Sequence, residues 1–146
     1  MTQKIMIVNG PNLNLLGTRE PDIYGSESLK DIEKKCFSCL KTYDVRGIFH
    51  QSNHEGELVE YIHEAIKTAH GIIINPAAYS HTSIALLDAL KMFQGPVVEV
   101  HLSNIHKREP FRHHSFISSR ADAVIAGCGS KGYEFAIHFI MNSLNE

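Results

Sequence analysis

The chain has 146 residues and a formal net charge of -2, long enough to bury a sizeable core as one domain over residues 1–146. It carries no basic excess that would draw it to nucleic acid or a membrane surface. No apolar run approaches the ~20 residues of a membrane span, and Met1-Thr-Gln-Lys4 leads straight into a strand pattern, so neither an anchor nor a signal peptide is expected.

Residues 4–8 (Lys-Ile-Met-Ile-Val) form a short apolar run, as expected for a strand buried on both faces. A long connection over 9–24 follows, several times the usual α/β loop length. It carries Leu13, Leu15, Leu16, Ile23 and Tyr24, which argues for order, and Gly17 and Gly25, which permit a hinge. It also carries Asn12, Arg19 and Tyr24, side chains that bind or move protons. We expect a lid that brings catalytic groups over a site at the end of the first strand. Ser28 and Asp31 then resemble a capping box, and Leu29, Ile32, Cys36 and Leu40 recur at helical spacing. Cys36 and Cys39 form a C-x-x-C. Without a second pair to complete a zinc site, it reads as two small helix residues. With Cys128, the three cysteines cannot all pair within one chain, which suits a reducing cytoplasm.

Residues 45–50 are a second strand, and Leu58, Ile62, Ala65, Ile66 and Ala69 share one face of the next helix. His54, His63 and His70, on or beside it, read as surface or cap residues. Residues 71–74 are a third strand. The polar segment 75–83 follows, and Thr82 or Ser83 can cap a helix bearing Ala85, Leu86, Ala89, Leu90 and Phe93, which Gly95-Pro96 stops. Strand four spans 97–100 and strand five 123–126. A last helix is expected to bury Phe135, Ala136, Phe139 and Ile140. Strands alternating with helices predict an α/β fold with a parallel five-stranded sheet covered on both faces. Ligands bind such sheets outside the carboxyl ends of the strands. Those ends carry Asn9, Gln51, Asn75, His101 and Gly127, so the loops 9–24, 75–83 and 101–115 share one rim.

Glu99 and His101 are two apart on a strand and so share a face. A carboxylate there orients an imidazole and stabilises its protonated form, making it a placed proton donor; the alternative is a solvated strand end. Tyr24 is a poor base at the ordinary phenol pKa of ~10, about 4 kcal/mol from ionising at neutrality. A cation beside it lowers that cost, and Arg19 lies on the same loop. The alternative for Tyr24 is an aromatic that packs the loop down. Arg108 and Arg112, four apart around Pro110-Phe111, suit a carboxylate or phosphate. Asp88 can bind a hydroxyl or a cation, or form a salt bridge. Ten histidines invite a metal reading, but His113-His114 and His101/His106 lack zinc spacing. Glycines at strand ends invite a nucleotide reading, but neither G-x-G-x-x-G nor the P-loop pattern is present.

These segments together resemble the type II 3-dehydroquinate dehydratases. The matching pieces are Asn9-Gly-Pro-Asn-Leu-Asn-Leu-Leu-Gly-Thr-Arg-Glu-Pro, Gln51-Ser-Asn-His-Glu-Gly-Glu-Leu, Asn75-Pro-Ala-Ala-Tyr-Ser-His-Thr-Ser, and Glu99-Val-His-Leu-Ser-Asn-Ile with Arg108-Glu-Pro-Phe-Arg-His-His-Ser. They run in family order over nearly the whole chain. Ala77 and Ser80 stand where Gly and Thr are expected, Cys128 where an aromatic is common, and Leu87 where a basic residue precedes Asp88. These departures are expected to touch loop flexibility and subunit contacts.

The resemblance implies a flavodoxin-like three-layer sandwich that converts 3-dehydroquinate to 3-dehydroshikimate without metal or organic cofactor. It further implies Tyr24 as base and Arg19 as the cation that keeps it ionised. Asn12 would hold the enolate oxygen, and His101, oriented by Glu99, would be the acid. Asn75, His81, Asp88, Leu102, Ser103 and Arg112 would bind the substrate, with Asp88 coming from a neighbouring subunit of a homododecamer built from trimers. The shikimate route or quinate breakdown would be its setting. Two other classes stay open on the residues alone. A metal-dependent hydrolase would be chelator-sensitive, and a flavodoxin-like binding module would hold a nucleotide without turnover.

Overall fold

The computed structural model of the chain describes residues 2–18, 22 and 26–146. Its strands are β1 (Lys4–Asn9), β2 (Arg46–Gln51), β3 (Gly71–Asn75), β4 (Val97–His101) and β5 (Ala123–Ala126). They form one sheet in the order β2-β1-β3-β4-β5, every neighbouring pair parallel. Among the described residues four α-helices cover it: α1 (Leu29–Thr42), α2 (Glu55–Thr68), α3 (Ile84–Lys91) and α4 (Lys131–Leu144).

The pleat divides the core in two. Ile5, Ile7, Ile73 and Val98 point to a layer made by Ile32, Cys36 and Leu40 of α1 and Ala136, Ile137 and Ile140 of α4. Met6, Val8, Ile72 and Ile74 point to the opposite layer, made by Leu58 and Ile62 of α2 and Leu86 and Leu90 of α3. The three layers follow from central strands that are apolar on both faces over residues 5–8 and 72–74. Each such large side chain, once buried, contributes about 1.5–3 kcal/mol. The chain leaves β1 for β2 on one side and returns to β3 on the other, so the crevice of a doubly wound sheet opens between the carboxyl ends of β1 and β3. Asn9 and Asn75 lie side by side there, in register.

Local signals act as expected at the helix starts. The Ser28 hydroxyl accepts from Asp31 N–H at 3.1 Å, and Asp31 accepts from Ser28 N–H at 3.1 Å, so the capping box closes. Ser83, rather than Thr82, caps α3, its hydroxyl accepting from Leu86 N–H. His70 accepts the Lys4 N–H through Nδ1, a structural bond at the start of β1. Cys36 is buried and Cys39 half-buried. Burial pushes the Cys36 thiol up to about 12 and also raises Cys39, which makes them poor thiolate nucleophiles. Among the described residues no helix is long and apolar enough to cross a membrane.

Three face assignments change. In α4, Phe135 and Phe139 are 45% and 37% exposed, whereas Tyr133, Ile137 and Met141 are buried. Ala136 and Ile140 belong to both stripes, and the sheet selects the side that fits beneath β4. In α2, Ile66 lies outside the buried stripe of Leu58, Ile62 and Ala65. In α3, Ala85 is exposed while Leu87 is buried.

Of the long first loop, the half through Thr18 is docked rather than free. A 3-10 turn over Leu13–Leu15 places Leu13 and Leu16 in the core and leaves Leu15 half exposed. Gly17 adopts φ +91°, and a Cβ there would meet Ser26 O at 2.9 Å, so this position needs glycine. Arg19, Ile23, Tyr24 and Gly25 lie outside the described residues, and with them the part of the expected lid that carries Arg19 and Tyr24.

Candidate active site

A small cavity opens at the carboxyl edge of β1, β3 and β4, the place where open α/β sheets bind ligands. All three strand-end loops contribute: Asn12 and Leu13 from the first, Ala78 and His81 from the second, Ser103, Arg108 and Arg112 from the third. Asn75, His101 and Leu102 complete the wall at the strand ends. Eight of the expected residues therefore meet: Asn12, Asn75, His81, His101, Leu102, Ser103 and Arg112 line the cavity, and Glu99 stands behind His101. Asp88 is exposed on α3 and does not line the cavity of its own chain. Arg19 and Tyr24 lie outside the described residues. Pro11, Ala78 and Ile105 join the wall without any signal in their own residue types.

The β4 end carries the charged chemistry. Glu99 is fully buried and His101 nearly so; the carboxylate Oε2 and the imidazole Nε2 are hydrogen-bonded. This settles the solvated-strand-end alternative against exposure. The same carboxylate accepts from Ser80 Oγ at 3.1 Å and from Ser118 Oγ at 2.7 Å, and the Ser115 and Ser80 hydroxyls bond each other at 2.5 Å. Burial alone would raise the Glu99 carboxyl, but the His101 bond and charge and the hydroxyls of Ser118 and Ser115 hold it below the ordinary carboxylate value. Glu99 is thus a fixed anion, and with Nε2 engaged, Nδ1 is the ring nitrogen of His101 that remains for the cavity. The His81 ring lies nearly parallel to that of His101, 6.5 Å away, and its Nδ1–H donates to His114 O at 2.8 Å.

Two residues thought to affect only loop flexibility or subunit contacts prove to have other surroundings. Ser80 is buried and belongs to the Glu99 cage, so a hydroxyl is what this position requires. Leu87 is 8% exposed and packs in the core. Ala77 adopts φ +53°, the left-handed region that glycine enters without cost.

The remaining wall is held by amide contacts at Asn12 and by an ion pair at Arg112. Asn12, at φ +70°, is kept there by its N–H donating to Asn53 Oδ1 at 2.9 Å; Gln51 donates to the same oxygen. Arg112 Nε donates to Glu109 at 2.9 Å, and its guanidinium lies over Phe111. Arg108 donates to Ser103 Oγ at 3.4 Å. The roles of Asn53, Ser80 and Ser118 were not legible in sequence, because the groups they serve are distant in the chain or reached only through the fold. Among the described residues no three His, Cys, Asp or Glu side chains cluster as a metal site would require.

The arrangement combines an imidazole backed by a buried anion, two arginines and several amides around one small cavity, a set suited to a polar, anionic substrate and proton transfer. A family model for class II dehydroquinase matches residues 3–141. The chain is 63% identical to a 3-dehydroquinate dehydratase of Bartonella tribocorum over 99% of its own length and 97% of the relative's. It is 62% identical to one of Streptomyces coelicolor over 93% and 87%. Among solved structures it superposes on the type II dehydroquinase of Propionibacterium acnes with a TM-score of 0.92 and 40% identity, covering 97% of this chain and 98% of that one. That of Butyrivibrio crossotus gives 0.93 and 41% over 96% and 98%. The chain belongs to the class II dehydroquinase family.

Proposed function

We propose that the chain is a single catalytic domain that dehydrates 3-dehydroquinate to 3-dehydroshikimate by anti elimination. A proton next to the ketone is removed, an enolate forms, and the hydroxyl leaves with a proton as water. Tyr24 is the base, ionised by Arg19. Asn12 stabilises the enolate oxygen, an electrostatic role. His101 protonates the departing hydroxyl. The neutral imidazole donates Nε2–H to Glu99, so a second proton on Nδ1 makes an imidazolium that the Glu99 carboxylate stabilises and the cavity receives. Asn75, His81, the Leu102–Ser103 backbone and Arg112 bind the substrate's carboxylate and hydroxyls. Asp88, exposed on α3, reaches a neighbouring subunit's site, which calls for an oligomer: trimers assembled into a dodecamer. The setting is the cytoplasm, in the shikimate pathway or quinate breakdown. No step needs a metal or organic cofactor.

The observation that carries this reading is the Glu99-held imidazole facing a cavity lined by arginines and amides. The test is the ultraviolet absorbance of the conjugated enone formed from 3-dehydroquinate, followed with and without chelator for wild type and Tyr24→Phe. Chelator-insensitive growth that falls about 10³-fold in the variant supports reaction and base together. Growth that the variant retains removes Tyr24 from its role. Chelator-sensitive growth restores the metal-dependent alternative, and none in the wild type rejects the dehydratase.

A further inference from the structure

Tyr133 stands near the start of α4 and is among the largest fully buried side chains in the molecule. A buried phenol needs partners for its hydroxyl. This one reaches under the carboxyl ends of β1 and β3, where it donates to Asn9 Oδ1 at 2.6 Å and accepts from Asn75 Nδ2 at 2.9 Å. Asn9 and Asn75 are partners in the sheet register, so one hydroxyl bridges two adjacent strands at the crevice.

Backbone groups set the polarity of this chain of bonds. Ala77 N–H donates to Asn75 Oδ1 at 3.2 Å, so that atom is the carbonyl oxygen and Nδ2 is the donor. Asn9 Nδ2 donates to His50 O at 3.0 Å, so Asn9 Oδ1 is the acceptor. The single phenol proton therefore goes to Asn9, and the phenol oxygen takes one Nδ2 proton of Asn75. Flipping the Asn75 amide would break two bonds at once and bury two mismatched groups. Its second Nδ2 proton is left for the cavity that Asn75 lines. Burial raises the Tyr133 phenol above its ordinary value, so it stays neutral and is unsuited to be the base.

We propose that Tyr133 is a positioning residue for the substrate: its hydroxyl locks the Asn75 amide so that one N–H points at a hydroxyl or carboxylate oxygen of the bound molecule. Tyr133 has this role only if Asn75 binds substrate as proposed above. The experiment therefore compares kcat and KM for 3-dehydroquinate in wild type, Tyr133→Phe, Asn75→Ala and the double variant, each below its melting temperature. Tyr133→Phe raises KM about tenfold with kcat within about threefold, the pattern of lost binding. In the double variant the second change adds less than about twofold, because both remove one interaction. Losses that multiply, or an unchanged KM in Tyr133→Phe, overturn the inference and leave the dehydratase standing. A wild type without turnover overturns both. If Tyr133→Phe does not fold, the Asn75 side-chain amide of the wild type is read by NMR. One Nδ2 proton protected from exchange is the expected result, and two freely exchanging protons overturn the lock.

Discussion

Two buried polar clusters stand side by side behind the cavity, and they are made of different chemistry. At the ends of β1 and β3, Asn9, Tyr133 and Asn75 form a neutral chain in which each polarity is set by a backbone group. At the end of β4, Glu99 is an anion held by His101 and a cage of serine hydroxyls. The neutral chain can set only geometry, since none of its members changes charge near neutral pH. The charged cluster adds a fixed anion, bonded to the ring that the proposed reaction uses as its acid. One site thus draws its shape from one cluster and its acid from the other, and each can be perturbed alone.

The largest expected effect comes from breaking the charged cluster. Glu99→Ala leaves His101 and the Ser80 and Ser118 hydroxyls without their buried acceptor. It should cost about 3 kcal/mol of stability and about 10²–10³-fold in kcat, read by thermal unfolding and by the enone assay. The gentler Glu99→Gln tests the charge itself. Glu99 is held below its ordinary value of 4.5, so its ionised form is favoured by folding. That contribution is complete above the unfolded value and is lost as pH falls from about 4.5 through the lower folded value. The stability gap between wild type and Glu99→Gln should therefore be constant near neutrality and close below about pH 4.5. A gap that persists unchanged at pH 3 would mean that the carboxylate's charge contributes nothing. Tyr133→Phe sharpens the contrast: its cost, about 1–2 kcal/mol for two buried amides that lose a partner, should not vary between pH 5 and 8. The smallest effect belongs to Ala77→Gly. Relieving a positive φ in a non-glycine residue should raise stability by about 0.5–1 kcal/mol, visible as a shift of a few degrees in Tm.

Much of the site was legible before any coordinates. Glu99 and His101 were paired from strand spacing alone, because a period of two puts their side chains on one face. The rim of strand ends followed from alternating strand and helix patterns. The cage around Glu99 was not legible: Ser80, Ser115 and Ser118 lie in two separate loops, and serine is a common loop residue with no spacing that marks it. Tyr133 was missed for a related reason. The helical stripe containing Ala136 and Ile140 can be completed by Phe135 and Phe139 or by Tyr133, Ile137 and Met141, and hydrophobicity favours the phenylalanines.

What the sequence determined by itself is what depends on neighbours in the chain. It determined the strand and helix periods, the Ser28–Asp31 capping box, a helix cap at Thr82 or Ser83, the order of the loops and the side-by-side carboxylate and imidazole of β4. Only the tertiary structure decided which stripe of α4 faces inward, and that the α4 phenol meets two asparagines from β1 and β3, 124 and 58 positions away. It also decided that a serine after β3 and another after β4 close on one carboxylate. The physical reason is that a buried polar group takes whichever partner the packed layers bring within about 3 Å. That choice is made by the packing of the sheet and its helices, and not by separation along the chain.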